Sequence, residues 1–163
     1  MIGVDGARYK SIEFSGDGLH SLNMDDRFSI CNMVIESGAK NGIFPVDEQT
    51  LDYLDGRVRR PFTIAAPDPD AVYSQEIVID LSRLTPVAAG PSLPSNVKPV
   101  AEYYGIEIHQ AVIGSCSNGR ISDLRAAAAV MKGEKVHPSV RCIIIPATPT
   151  IYRQAMAGTY GGN

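Results

Sequence analysis

An apolar segment that passes through a sharp turn into a helix restricts most strongly how this chain can fold. In the run VIGSCSNGRISDLRAAAAVMKG, residues 112–133, Cys116 lies in a turn of Ser, Asn and Gly, and a helix is predicted over Ser122–Lys132. A second apolar strand, VRCIIIPAT, which is predicted to be buried, and a second helix, PTIYRQAMAG with Pro149 in its first turn, follow. Strand, helix, strand and helix in this order predict parallel strands in an α/β unit.

The first half of the chain predicts a second set of alternating elements. These are a strand over 11–14, a helix over about Asp25–Ser37, a strand end and short helix before Gly56, and a strand over Gln75–Leu84. Asp25 or Asp26 is the predicted N-cap of the long helix, and Gly38 is predicted to follow its last residue.

A proline-rich segment separates the two halves. TPVAAGPSLPSNVKPV has four prolines and neither a helical nor a strand period, which is typical of a connector. We therefore predict two three-layer-like α/β units with mostly parallel sheets. Their predicted limits are 1–84 for the first unit, 85–99 for the connector and 100–163 for a second, partial unit.

Charge and composition argue against several functional classes. The net charge is −3 and the basic residues are dispersed, which argues against a nucleic-acid partner. No apolar segment reaches membrane-spanning length, and the first residues do not have the pattern of a signal peptide. Three widely spaced cysteines do not suggest a disulfide framework, so we expect a reducing, cytoplasmic location. The 44% hydrophobic content predicts a substantial core.

The first long helix carries a narrow polar stripe. On a helical wheel its apolar residues occupy most of the circumference, whereas four polar residues share one sector: Asp25, Ser29, Asn32 and Glu36. The stripe faces either solvent or a polar cleft, and the wheel leaves both open. In a cleft, Asn32 and Glu36 would place an amide one turn from a titratable carboxylate. Cys31 points away from the stripe and is predicted to be a small core residue.

Cys116 is the candidate with the most chemistry in the second half. Because it follows a strand and precedes a helix, it is predicted at the carboxyl edge of a parallel sheet, where ligands bind. The N-terminus of that helix and the N–H groups of the turn would favour a thiolate there. It could be a nucleophile, a metal or cluster ligand, or a thiol with no function, and residue chemistry leaves all three open. No histidine lies within the motif, and Cys142 is predicted to be a core residue.

Three segments together resemble the aconitase superfamily. The run from Val112 to Tyr152 resembles the segment that carries the first cluster cysteine in the family's large subunits. The family's helix with the active-site Asn and Glu is similar to the run MDDRFSICNMVIESGAKNGIFPVDEQTLDYL. The connector between these two segments is similar to LPSNVKPV. The resemblance covers about residues 2–157 and is greatest to the large subunits of 3-isopropylmalate dehydratases and homoaconitases. Ser117 departs from the family pattern, which usually has Thr there, although the hydroxyl is retained.

The resemblance implies a hydro-lyase that isomerises a hydroxy dicarboxylate, such as a 2-hydroxy dicarboxylate, or a hydroxy tricarboxylate by dehydration and rehydration. It would act in leucine biosynthesis as a 3-isopropylmalate dehydratase or in lysine biosynthesis as a homoaconitase. It implies a [4Fe–4S] cluster with Cys116 as one of three cysteine ligands and with Asn32 and Glu36 beside it. It also implies a small-subunit partner that carries a swivelling substrate-binding domain.

The family's other two cluster cysteines come from a Cys-x-x-Cys pair that this sequence does not contain. We therefore expect an internal fragment of a longer large subunit, inactive and without a cluster by itself. Homoaconitase or another methylmalate-type hydratase remains an alternative to 3-isopropylmalate dehydratase. An RNA-binding module or an assembly-only module remains an alternative of a different class.

Overall fold

The computed structural model describes residues 2–160 as helices and short strands. The strands are β1 (Ser11–Glu13), β2 (Asn41–Ile43), β3 (Val87–Ala89), β4 (Val97–Pro99), β5 (Gln110–Gly114) and β6 (Arg141–Ile145). The α-helices are α1 (Met24–Met33), α2 (Glu48–Leu54), α3 (Ser115–Asn118), α4 (Ile121–Met131) and α5 (Pro149–Tyr160). Short 3₁₀ helices cover Asp17–Ser21, Val34–Ser37, Leu81–Arg83 and Val100–Tyr103.

The strands of residues 2–160 form three two-stranded sheets. β1 pairs with β2 and β5 pairs with β6, both in parallel, whereas β3 and β4 are antiparallel. The β5–β6 register runs from Gln110 opposite Arg141 to Gly114 opposite Ile145, so the two strands end at the same edge. The prediction of an α/β chain with parallel strands is confirmed.

The first long helix begins one residue before the predicted caps. Asn23 is the N-cap, because its side-chain oxygen accepts hydrogen bonds from the backbone N–H of Asp25 (2.8 Å) and Asp26 (3.1 Å). The Asp26 carboxylate in turn accepts from the Asn23 N–H at 3.0 Å, which completes a capping box. The prediction of Asp25 or Asp26 as N-cap was therefore wrong. The α-helix ends at Met33 and continues as a 3₁₀ turn to Ser37, and Gly38 follows as predicted.

Two predicted features of the middle of the chain differ from the structure. The strand predicted at Gln75–Leu84 is absent, because the segment has no partner strand within residues 2–160 and forms only the 3₁₀ turn at Leu81–Arg83. An apolar run becomes a strand only when a neighbour supplies the hydrogen bonds of a ladder. Conversely, the proline-rich segment predicted to lack strands contains β3 and β4, which close it into a small antiparallel loop.

The apolar core of the described residues is smaller than the composition predicts. Ala7, Val34 and Ala39 form its central cluster, and Ile2, Ile12 and Phe14 pack against it. Several large apolar side chains are at least half exposed, among them Val78, Val112, Val130 and Ile144. β6 was predicted to be buried, but its Ile144 and Ile145 are exposed, because β6 pairs with β5 alone in residues 2–160. No helix within residues 2–160 has both the length and the apolar character that a membrane crossing requires.

Candidate functional site

The turn that carries Cys116 depends on two close backbone approaches. Gly114 ends β5 with φ at +111°, and a Cβ there would lie 2.1 Å from the carbonyl oxygen of Ile145. Gly119 is buried, and a Cβ there would lie 2.4 Å from the carbonyl oxygen of Ser115. Ser115 itself has φ at +78°, a left-handed conformation that is uncommon outside glycine. The glycines on either side of SCSN therefore let β5 turn tightly against the end of β6.

Cys116 lies in the short helix α3 and not at the start of the long helix. Between the two helices, Arg120 adopts an extended conformation, and its N–H donates to the Asp123 carboxylate at 2.9 Å as α4 begins. We expected the N-terminus of the long helix to favour a Cys116 thiolate, and the structure instead separates the two. The location of Cys116 beyond the carboxyl end of β5 is as predicted.

The polar stripe of α1 faces the Cys116 turn. The Ser29 hydroxyl donates to the backbone carbonyl of Ser117 at 2.8 Å, and the Ser117 hydroxyl donates to the side-chain carbonyl of Asn32 at 2.6 Å. Nearer the N-terminus of the helix, the Asp25 carboxylate accepts a hydrogen bond from the Ser122 hydroxyl. Three of the four stripe residues thus bind residues 117–122, and the stripe is not simply a solvent face.

The stripe and the turn bring two of the three predicted site residues together. The Cys116 Sγ lies 3.7 Å from the Asn32 side-chain oxygen, across 84 residues of sequence. Cys116 is exposed and Asn32 is half-buried, so the pair lies at an open surface. Glu36 lies beyond α1, in the 3₁₀ turn, where its carboxylate is exposed and makes no hydrogen bond within residues 2–160. The structure therefore does not join Glu36 to Cys116 by a direct contact.

The other two cysteines make their contacts away from the Cys116 turn. The Cys31 Sγ donates to the backbone carbonyl of Gly42 at 3.3 Å, and burial raises the pKa of this thiol. Cys142 is half-buried in β6, opposite Ala111. Their positions agree with packing roles.

The three histidines are exposed and lie outside the Cys116 turn. His137 Nδ1 lies 2.8 Å from the Ser139 hydroxyl in a loop. The backbone carbonyl of His20 accepts a hydrogen bond from the Gln49 side chain, and that of His109 accepts one from the Arg141 N–H. Within residues 2–160 neither of these two imidazole rings is hydrogen-bonded. None of the three is a hydrogen-bonded base for Cys116, so the described residues give no support to a Cys–His nucleophile.

The donor set fits one ligand of an iron–sulfur cluster but not a whole cluster site. A [4Fe–4S] cluster of this kind needs three thiolates, and among residues 2–160 Cys116 is the only cysteine at this edge of β5 and β6. Within residues 2–160, no group of three His, Cys, Asp or Glu side chains is arranged to hold a metal ion. A cluster could use Cys116 as one ligand only if the remaining ligands came from other residues.

Several residues that shape this surface were not predicted from the sequence. Ser29 was noted only as part of the stripe, and Ser117 only as a departure from the family pattern. Arg120 places its guanidinium 4.6 Å from the centre of the Phe28 ring, which packs the start of α4 onto α1. No local pattern identifies such contacts, because each joins residues far apart in sequence.

Comparison with known proteins gives one consistent result. The family model described as "Aconitase family (aconitate hydratase)" matches residues 1–160. The 3-isopropylmalate dehydratase large subunit of Moorella thermoacetica is 55% identical over 156 residues, and that of Syntrophus aciditrophicus is 59% identical over 155. These alignments cover 96% and 95% of this chain but 37% of each relative. The chain thus spans little more than a third of the length of these curated relatives.

Proposed function

Because the chain belongs to the aconitase family, we propose that it supplies part of the active site of a hydro-lyase large subunit. In this proposal Cys116 is one ligand of an iron–sulfur cluster, and Asn32 and Glu36 face the substrate. The contact between Asn32 and the Cys116 turn is the observation that carries the proposal. It joins an amide and a thiol from distant segments at one open surface.

We propose 3-isopropylmalate, a hydroxy dicarboxylate, as the substrate, since the relatives are named 3-isopropylmalate dehydratase large subunits. Its dehydration removes a hydroxyl group from one carbon and a proton from the next. A bound cluster supplies a Lewis-acidic iron for hydroxyl departure. Glu36 has an exposed carboxylate and can exchange a proton with substrate and solvent, whereas the half-buried Asn32 amide donates hydrogen bonds that orient the substrate.

The relatives' designation as large subunits supports a small-subunit partner, and we propose that its swivelling domain closes over the Cys116 surface. All three cysteines of the chain are free, which fits the reducing conditions of the cytoplasm, the location that we propose.

A chimaera tests the proposal. Residues 2–157 replace the matching segment of the Moorella thermoacetica large subunit, and the protein is assembled with that organism's small subunit. We expect the chimaera to bind a cluster and to dehydrate 3-isopropylmalate. Cys116→Ala should abolish the cluster absorbance and the turnover, whereas Cys142→Ala, a matched cysteine in β6, should keep both. A Cys116→Ala chimaera with a full cluster would contradict the proposal.

A further inference from the structure

We propose that Ser117 is a positioning residue that fixes the orientation of the Asn32 carboxamide and directs its N–H donors away from the Cys116 turn. The importance of this orientation for turnover rests on the proposed function. The orientation itself rests only on the contacts between α1 and α3.

The length of the contact identifies which end of the amide faces Ser117. The Ser117 Oγ lies 2.6 Å from the Asn32 side-chain oxygen, a normal length for an O–H···O bond but short for an N–H···O bond. With the amide reversed, the nitrogen would occupy this short contact. The hydroxyl has one proton, and its other acceptor, the Met33 Sδ, is weak and lies 3.7 Å away. The proton therefore goes to the Asn32 oxygen.

Ser117 is itself held in place. Its backbone carbonyl accepts a hydrogen bond from the Ser29 hydroxyl at 2.8 Å. Residues of α1 therefore form hydrogen bonds with both the backbone and the side chain of Ser117. The Asn32 Nδ2 lies on the opposite branch of the planar amide and makes no hydrogen bond within residues 2–160. Its two N–H donors are thus available to an acceptor on a molecule bound next to Asn32, on the side of the amide that faces away from the turn.

The Ser117 hydroxyl becomes more important when Cys116 is a ligand. The thiol of Cys116 also approaches the Asn32 oxygen, at 3.7 Å, and can share in holding it. A sulfur bound to a metal has no proton to donate, and it would attract the amide N–H groups instead. The Ser117 hydroxyl is then the group that keeps the Asn32 side-chain oxygen directed toward the turn.

Nuclear magnetic resonance of the ¹⁵N-labelled 163-residue chain tests the orientation without any cofactor. We expect weak nuclear Overhauser effects between the Asn32 Nδ2 protons and the Ser117 β protons, and a rigid Nδ2 in the {¹H}–¹⁵N measurement. In Ser117→Thr, which keeps the hydroxyl, the Asn32 Nδ2 should remain rigid. In Ser117→Val, which has the shape of threonine without the hydroxyl, the Asn32 Nδ2 should become mobile. Ser122→Ala removes a hydroxyl that joins α4 to α1 and should leave Asn32 unchanged.

A strong Overhauser effect from Nδ2 to Ser117 in the unsubstituted chain would overturn the proposal, and so would a rigid Asn32 in Ser117→Val. The unsubstituted chain alone decides the first point, even if a variant does not fold.

The chimaera then tests the consequence for turnover. At matched cluster occupancy, Ser117→Val should lower kcat about 10- to 100-fold, and Ser117→Thr should restore it to within a few-fold. An unchanged kcat in Ser117→Val would overturn the catalytic part of the inference. If the unsubstituted chimaera binds its cluster but lacks turnover while the resonance results hold, the proposed function fails and the positioning of Asn32 by Ser117 stands.

Discussion

Arg27 and Asp47 form a bidentate ion pair, in which the Arg27 Nη1 and Nη2 lie 2.8 Å and 2.6 Å from the two Asp47 carboxylate oxygens. The Arg27 side chain is only 2% exposed, and its remaining donors reach the Thr50 hydroxyl and the backbone carbonyls of Leu19 and Leu22. Asp47 is also the N-cap of α2. The pair therefore ties α1, α2 and the turn before α1 together, although neither residue was singled out as a site residue.

Removing the charge of Asp47 should destabilise the chain. Asp47→Asn keeps the shape and the capping oxygen but leaves the buried guanidinium without a counter-ion, so we expect a loss of about 3 kcal/mol in the free energy of unfolding. Urea denaturation measures this loss. Glu102→Gln breaks an exposed ion pair with Lys98 and should change stability by less than about 0.5 kcal/mol. Equal effects from the two substitutions would contradict the prediction.

The same pair predicts a pH dependence of stability. Hydrogen bonding from Arg27, more than its charge, holds the pKa of Asp47 well below its usual range. Because the folded-state pKa lies below the unfolded value of about 3.9, the contribution of the pair is complete above about pH 5 and is lost as the pH falls. Stability measured from pH 6 to pH 3 should decline less steeply in Asp47→Asn. Parallel curves for the two proteins would show that another carboxylate controls acid unfolding.

The 163-residue chain should not assemble a [4Fe–4S] cluster alone. Cys116 is a single ligand, and the Cys31 thiol is hydrogen-bonded to Gly42 away from it. After anaerobic incubation with iron and sulfide, we expect less than one cluster per chain and no dehydratase activity. Absorbance together with iron and sulfide analysis measures the stoichiometry. A stoichiometric cluster on a monomer would contradict the prediction.

Glu36 and Cys31 should differ sharply in their effects on turnover. In the chimaera, Glu36→Gln removes proton transfer from an exposed carboxylate with no hydrogen bond in residues 2–160, so folding should hardly change while turnover falls about 10²–10⁴-fold. Cys31→Ala should keep turnover and cost about 1 kcal/mol of stability. Both are compared at matched cluster occupancy. A nearly normal Glu36→Gln with an inactive Cys31→Ala would mean that the wrong face of α1 and of the 3₁₀ turn after it has been assigned to the site.

Limited proteolysis should cut first between residues 58 and 80. These residues are exposed and have neither helix nor strand, whereas β3 and β4 close the proline-rich segment. Brief digestion with subtilisin, followed by mass spectrometry, locates the cut. The division into 1–84, a connector at 85–99 and 100–163 remains a prediction, and first cleavage inside 85–99 would favour it. First cleavage between 112 and 145 would contradict both the division and the structure.

Much of the local structure was predictable because short-range chemistry specifies it. The order β5, α4, β6, α5 follows from alternating apolar runs and turns, and the end of the first helix follows from Gly38. The stripe that holds Asn32 was visible on a helical wheel. The N-cap was missed because Asn23 and two aspartates compete within four residues, and only the capping geometry decides between them.

By itself the sequence determined the family, the parallel α/β order and the placement of Cys116 beyond the end of a strand, because turn residues and hydrophobic period act over a few neighbouring residues. The tertiary structure alone decided that the stripe of α1 meets the Cys116 turn, that Ser117 holds Asn32 and that Arg27 is neutralised by Asp47. It also decided that Gln75–Leu84 forms no strand in residues 2–160. Each outcome depends on a partner far away in the chain, and local propensity does not specify which distant group will satisfy a hydrogen bond or a buried charge.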